Sequence, residues 1–221
     1  MRLHPRGVVL AACVSLAVLC VARLGHGAGT QLCSPASIGV DTSLAATSPH
    51  AAAINGEGPG ETFVAVDTLI RSITVWRAAV QTPNANPLKL WITEVDSTGM
   101  PLIGSVVFDG PAVSVPYGDG IHPIKIEYSF DPPVALPHRG RYFFAIQELC
   151  WGWFDLLLSA GDPYPDGSAW RTGKSNFSGC ILSYNISRLT GYDLVFTVEF
   201  CSDVTTATHR GSWGELKLRY R

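Results

Sequence analysis

The sequence predicts an all-β protein, a single domain built as an antiparallel β-sandwich of the jelly-roll type. Two observations carry this prediction. From Glu61 onward, short runs of β-branched and aromatic residues alternate with Gly, Pro, Asn and Asp, which is typical of strands joined by turns, and no convincing helical period appears. The chain has 221 residues, 47% of them hydrophobic and 15% charged, so it can bury one sizeable core.

Residues 1–28 are predicted to form a signal peptide. Arg2 and Arg6 give them a basic start, and residues 8–22 form an apolar run that is followed by small residues. This run is short for a membrane span and no later stretch is long enough, so the mature chain is predicted to have no transmembrane segment. It is predicted to be secreted to the medium, the cell surface or the periplasm. A lipoprotein anchor at Cys13 is the alternative.

The charge balance bears on the kind of partner. The whole chain has 16 Lys and Arg against 18 Asp and Glu, and Arg2, Arg6 and Arg23 lie in the predicted signal peptide. The remaining net charge of about −5 offers no basic stripe. This argues against nucleic acid as a partner, because phosphate neutralisation supplies most of the affinity for nucleic acid.

The residue pattern divides the mature chain into three parts. Residues 29–60 are rich in Ala, Gly, Ser and Pro and are predicted to be an irregular lead-in, with at most one short strand near residues 37–40. The sandwich is predicted to span 61–203, and the remainder, 204–221, is predicted to be a C-terminal tail. Nine strands are predicted, at residues 61–66, 69–77, 88–95, 102–108, 112–115, 123–130, 141–149, 153–159 and 193–201.

Side-chain patterns predict how several of these strands sit. Apolar and polar residues alternate in 124–130 and again in 194–200, which predicts one wet face for each strand. Residues 142–146 and 156–158 are apolar on both faces, which predicts a place near the centre of a sheet or beneath a covering loop. Residues 96–99, Asp-Ser-Thr-Gly, predict a hairpin turn, and the Pro-Pro pair at 132–133 is predicted to break the chain between strands.

The four cysteines of the mature chain predict two disulfides, since an exported protein meets an oxidising compartment. Cys150 follows a central strand and Cys180 lies in the loop after it, while Cys33 and Cys201 bracket the domain. We therefore predict the pairs Cys150–Cys180 and Cys33–Cys201 out of three possible connectivities.

Four short motifs carry a resemblance to a known family. They are Gly60–Ala65, Leu69–Val75, Leu88–Ile92 and Gly140–Ile146. In these motifs the chain resembles the uncharacterised secreted bacterial β-sandwiches of the choice-of-anchor type, over about residues 58–201. The resemblance implies a non-catalytic extracellular module in proteins kept at, or exported past, the bacterial surface, and it implies no catalytic residue.

Catalytic chemistry finds little support in the sequence. The chain has no G-x-S-x-G elbow, no H-E-x-x-H helix motif and no P-loop. Acid pairs such as Glu94 with Asp96, or Glu148 with Asp155, are sequence neighbours that we interpret as solvated charges at strand ends. A secreted hydrolase whose site is assembled from dispersed residues remains the alternative function.

The segment 162–168 is a candidate calcium loop. Asp162 and Asp166 place two carboxylates within one Pro- and Gly-containing turn, and calcium takes oxygen ligands of this kind. No other cofactor is predicted. The alternative is that both acids simply form the turn.

Aromatic residues give the remaining clue to function. A ligand-binding surface is predicted from Trp151, Trp153, Tyr164, Trp170 and Arg171, since exposed aromatic rings suit the apolar faces of sugars. The alternative is that the tryptophans close one end of the core. The sequence thus favours a non-catalytic module that binds a polysaccharide or another cell-surface component, with a structural envelope protein as a further alternative.

Overall fold

The computed structural model describes residues 35–45, 50–54, 56–79, 87–148, 153–173 and 183–201, all within the compact unit Gln31–Arg221. One short 3₁₀ helix at Thr42–Leu44 accompanies thirteen strands in this part of the chain. The strands are β1 Pro35–Val40, β2 His50–Ile54, β3 Pro59–Val64, β4 Leu69–Arg77, β5 Leu88–Val95, β6 Pro101–Val113, β7 Ile124–Ala135, β8 Arg141–Glu148, β9 Trp153–Ala160, β10 Ser168–Thr172, β11 Ile186–Arg188, β12 Tyr192–Leu194 and β13 Phe196–Cys201.

The strands form two antiparallel sheets that pack face to face. Sheet A has the order β1-β13-β4-β9-β12, with β7 also paired to β4 and β2 to β9, and sheet B has the order β11-β10-β3-β8-β5-β6. The chain crosses between sheets at most connections, for example from β3 in sheet B to β4 in sheet A and on to β5 in sheet B. The predicted all-β sandwich is confirmed.

Large apolar side chains from both sheets fill the space between them. Phe63 of sheet B lies with its ring centroid 6.1 Å from those of Tyr142 and Phe144, and 6.4 Å from that of Phe200 in sheet A. Aromatic pairs at such distances contribute about 0.5–1.5 kcal/mol each beyond the area they bury. Phe63 therefore joins the two sheets at the centre of the core.

Several sequence patterns fold as expected. In β7 the residues Ile124, Ile126 and Tyr128 are buried while the residues between them are exposed, and β8 lies inside sheet B between β3 and β5. The hairpin at residues 96–99 is also confirmed. Asp96 N donates to Met100 O at 2.9 Å, and Gly99 takes the left-handed conformation that the turn requires.

Other elements differ from the predictions. In the lead-in 29–60, β1 confirms the short strand expected near 37–40, but β2 was not predicted. Residues 102–108 and the first two residues of 112–115 belong to one strand, β6. β7 continues through the Pro-Pro pair at 132–133, because its pairing with β4 is irregular between Ser129 and Val134 and requires no regular ladder hydrogen bond from the prolines. β10 and β11 were not predicted. All of these strands depend on partners distant in the sequence, which local residue preferences do not report.

Candidate functional site

The outer face of sheet B carries two tryptophans in one row across the strands. Trp91 on β5 pairs with Ala145 on β8, Ala145 with Gly60 on β3, and Gly60 with Trp170 on β10. Directly paired residues of neighbouring strands point to the same face of a sheet. The row therefore places two indoles on either side of two small residues.

These tryptophans belong to an apolar cluster that we call the tryptophan face. Phe143 and Ala145 in this cluster are fully buried, although they point away from sheet A, and Trp91 is only 9% exposed. The cluster is defined by Trp91, Ile103, Phe143 and Ala145, with Val95, Trp170 and Ile186 packed against them. The tryptophan face is thus a second, smaller core outside the sandwich.

Gly60 makes the packing of this face possible. A Cβ atom at Gly60 would lie 1.9 Å from the carbonyl oxygen of Phe144 and 2.6 Å from two ring atoms of Phe143. Real Cβ atoms do not approach other atoms this closely. The Phe143 ring therefore occupies the space that any side chain at position 60 would need.

The two indole N–H groups have unused hydrogen-bonding capacity. Nε1 of Trp91 and Nε1 of Trp170 are both buried, and neither has a hydrogen-bond partner in the described part of the chain. A buried donor without a partner costs about 1–3 kcal/mol.

A cavity of about 280 Å³ adjoins the tryptophan face. It is lined by Met100, Pro101, Leu102, Ile103, Gly104, Ser105, Tyr184 and Ile186. Ile103 and Ile186 belong to both the cavity wall and the tryptophan face. Tyr184 is 75% exposed, and its Cε1 would lie 3.4 Å from a Cβ at Gly104, so its ring stands over that glycine. The cavity thus has one aromatic wall that is open to solvent.

Cationic side chains border the same face. The Nζ atom of Lys89 lies 4.2 Å from the centroid of the Trp91 ring and forms an ion pair with Asp109. Arg188 is paired with Trp170 across β10 and β11, and its Nη2 donates to the Ser168 hydroxyl at 2.6 Å. The site therefore combines apolar surface, indole donors and positive charge.

The structure separates the aromatic residues that the sequence grouped together. Trp170 lies on the tryptophan face of sheet B, whereas Trp153 begins β9 in sheet A and is 42% exposed there. Arg171 follows Trp170 on β10 and is half-buried, and Trp151 lies outside the described residues.

Tyr164 packs into the core instead of lying on a surface. Its ring is 5.4 Å from that of Phe196 in an edge-to-face contact, and its hydroxyl accepts a hydrogen bond from Val64 N at 3.1 Å. Burial raises the pKa of the Tyr164 phenol. Trp170 is therefore brought together with Trp91 and not with Trp153 or Tyr164.

The predicted calcium loop is held by a third acid. Asp162 adopts the left-handed conformation with φ of 57°. Burial raises the pKa of Asp193, and the nearby Asp162 carboxylate adds to the rise. Asp193 also accepts a hydrogen bond from Tyr164 N at 2.8 Å, while Asp166 is exposed. Among the described residues, no group of three or more His, Cys, Asp or Glu side chains is arranged to hold a metal ion. Calcium at Asp162 and Asp166 stays a prediction.

The acid pairs considered for hydrolysis have other surroundings. Asp96 accepts hydrogen bonds from Thr98 N and Met100 N in its own hairpin. Glu148 and Asp155 are buried near Arg77; burial lowers the pKa of Arg77, and the two carboxylates oppose that shift. None of these acids lines the cavity beside the tryptophan face.

The predicted disulfides involve cysteines that lie mostly outside the described residues. Cys201 at the end of β13 is disulfide-bonded, and the other predicted partners, Cys33, Cys150 and Cys180, are not described. Pro35 pairs with Cys201 between β1 and β13. This register brings the chain next to Cys33 close to Cys201, but the two pairings stay predictions.

The fold defines the class of this protein, an all-β sandwich, and comparisons with known proteins add no family to it. The chain matches no protein-family model and no curated protein sequence. The resemblance to the choice-of-anchor sandwiches therefore stays a prediction. Within the described residues, no helix has the length and apolarity that crossing a bilayer requires.

Sequence reasoning missed most of this site. Trp91, Phe143 and Tyr184 were not singled out, although residues 142–146 were correctly expected to be apolar on both faces. That pattern, together with a tryptophan at an outward position of β5, is the signal that could have revealed the tryptophan face. Tyr184 sits in a polar loop, and no local pattern indicates its contact with Gly104.

Proposed function

We propose that this protein is a secreted, non-catalytic β-sandwich module that binds glycans in the cavity beside the tryptophan face. The observation that carries the proposal is the exposed ring of Tyr184, which forms an aromatic wall of a cavity that shares Ile103 and Ile186 with the tryptophan face. A sugar has apolar C–H faces that stack on an aromatic ring, and oxygen atoms that accept hydrogen bonds.

The volume of the cavity fits a small part of a larger ligand. At about 280 Å³ it is slightly below the usual range for sites that enclose drug-sized molecules, roughly 300–1,000 Å³. We expect it to take one sugar unit of a polysaccharide or of another cell-surface glycan, while the rest of the chain lies on the surface.

The cavity lining supports binding over hydrolysis. Hydrolysis of a glycosidic bond needs two carboxyl groups that flank the scissile bond. The lining residues, from Met100 to Ser105 with Tyr184 and Ile186, include no Asp, Glu or His.

Secretion is part of the same proposal. It is supported by the signal-like composition of residues 1–28 and by the disulfide bond of Cys201, since stable disulfides are typical of oxidising compartments.

A glycan array with matched tyrosine variants tests this function. Tyr184→Ala is expected to lose most of the retained glycan signal because the stacking ring is gone, and its melting temperature should stay within about 2 °C of the parent because the ring is mostly exposed. Tyr117→Ala is the control, since Tyr117 is 80% exposed in the loop before β7 and does not line the cavity. A parent protein that retains no glycan, or a Tyr184→Ala variant with undiminished retention, would contradict the proposal.

A further inference from the structure

We propose that the glycan bound at this site is acidic, and that its carboxylate or sulfate groups are recognised by Arg141 and Arg188. This inference rests on the proposed function and adds the chemical class of the ligand. It follows from the position, exposure and charge environment of the two arginines.

Arg141 lies beside one part of the cavity. It is the first residue of β8, and it alternates with Phe143 and Ala145, so it points to the same side of sheet B as the tryptophan face. Its Nη1 atom would be 3.1 Å from a Cβ at Gly99, the residue next to Met100 of the cavity wall. The guanidinium group of Arg141 therefore sits at the Met100 side of the cavity.

Arg188 lies beside another part of the same cavity. It is two residues after Ile186 on β11, so both side chains point to one face, and Ile186 lines the cavity. Arg188 is also paired with Trp170, whose indole N–H has no partner.

Neither arginine is in direct contact with an acid that the structure describes, although the charge of Arg188 opposes the rise that burial causes in the pKa of nearby Asp193. Both side chains are exposed, and neither forms an ion pair within 4 Å with any residue that the structure describes. Lys89 on the same face differs, because Asp109 pairs with it. The whole chain has a formal net charge of −2, so two unpaired arginines beside one cavity are not explained by general basicity.

The geometry of arginine suits this ligand class. Its planar guanidinium group binds carboxylate and sulfate-like groups through two parallel N–H donors, and such charge-assisted hydrogen bonds are stronger than neutral ones. A neutral glycan would use the aromatic wall but would leave both arginines without an anionic partner.

The inference is tested with a matched pair of probes, polygalacturonate and its fully methyl-esterified form, which share one backbone and differ in charge. We expect the parent protein to bind the acid form about tenfold or more tightly, with an affinity that falls as salt rises. Arg188→Gln and Arg141→Gln are each expected to reduce this preference by about tenfold. Arg188→Lys, which keeps the charge and loses the two-donor geometry, should lie between parent and Arg188→Gln.

Arg71→Gln is the matched control, because Arg71 is an exposed arginine on β4 of sheet A. It should bind both probes as the parent does. Equal binding of both probes by the parent, with no effect of the Arg141 and Arg188 variants, would overturn the inference and leave the proposed function standing. If neither probe binds, and an array of acidic and neutral glycans also gives no signal, the proposed function fails and the inference fails with it.

Discussion

The outer faces of the two sheets differ in polarity where β7 of sheet A is compared with β8 of sheet B. On sheet A, Lys125, Glu127 and Ser129 of β7 point into solvent and are linked by hydrogen bonds, while the residues between them enter the core. On sheet B, the outward residues Phe143 and Ala145 of β8 are fully buried. The outer face of sheet A is thus wet at β7, whereas the outer face of sheet B is apolar at β8.

Sheet B also places an acid on its inner side. Glu61 of β3 is paired with Phe144 and with Ala169, both core residues, and it is fully buried. Its Oε2 accepts a hydrogen bond from Leu194 N at 2.8 Å, and its Oε1 has no partner among the described residues. The comparison teaches that contacts between the sheets, as well as exposure, determine where sheet B carries polar and apolar residues.

The largest expected effect on stability comes from a substitution on the outer face of sheet B. Phe143→Ala should lower the free energy of unfolding by about 3–5 kcal/mol, because it removes a fully buried ring and leaves a cavity. Phe144→Ala, on the inner face of the same strand, is the matched variant and should cost a similar amount. Urea denaturation measures both. A cost below about 1 kcal/mol for Phe143→Ala would mean that this face is solvated.

A smaller effect on stability is expected from substitution of the buried acid Glu61, and this effect depends on pH. Burial raises the pKa of Glu61 well above its ordinary value, the Asp193 and Asp162 carboxylates add to the rise, and the N–H groups of Leu194 and Ser168 oppose it. The folded protein then holds a proton that the unfolded chain has lost. Stability is therefore greatest below the unfolded pKa of about 4.3, and it falls as pH rises toward the folded value.

Melting curves between pH 5 and pH 8 check this expectation. At pH 5 the parent should melt at a higher temperature than Glu61→Gln. At pH 8 this difference in melting temperature should be smaller by about 3 °C or more. Glu127→Gln is the control, since hydrogen bonds from Lys125 and Ser129 lower the pKa of exposed Glu127. A difference between parent and Glu61→Gln that does not vary with pH would show that Glu61 is ionised in the fold.

The smallest effect on stability is expected from a substitution on the outer face of sheet A. Lys125→Ala should change the free energy of unfolding by less than about 1 kcal/mol, because its 2.5 Å contact with Glu127 is exposed to water. Lys89→Ala on sheet B is the matched change and should cost more, since it also removes the contact with the Trp91 ring. Equal costs for the two lysines would weaken the contrast between the sheets.

Much of the sandwich could be predicted from local patterns because a strand exposes its two faces with a period of two residues. The alternation in 124–130 and the apolar residues 142–146 identified a strand at the surface and a strand at the centre of a sheet. The hairpin at 96–99 followed from turn chemistry, which is equally local.

Tertiary structure decided the rest, because the deciding contacts join residues that are distant in the sequence. β1 and β2 consist largely of Ala, Gly and Ser and form strands because β13 and β9 supply partners. Trp91 and Trp170 lie in one row only because of the register of β5, β8, β3 and β10. Tyr164 points into the core because its ring packs against Phe196 and its hydroxyl accepts a hydrogen bond from Val64 N. Residue types along the chain determine which faces are apolar, but only the pairing of strands determines which apolar face closes the core and which borders the cavity.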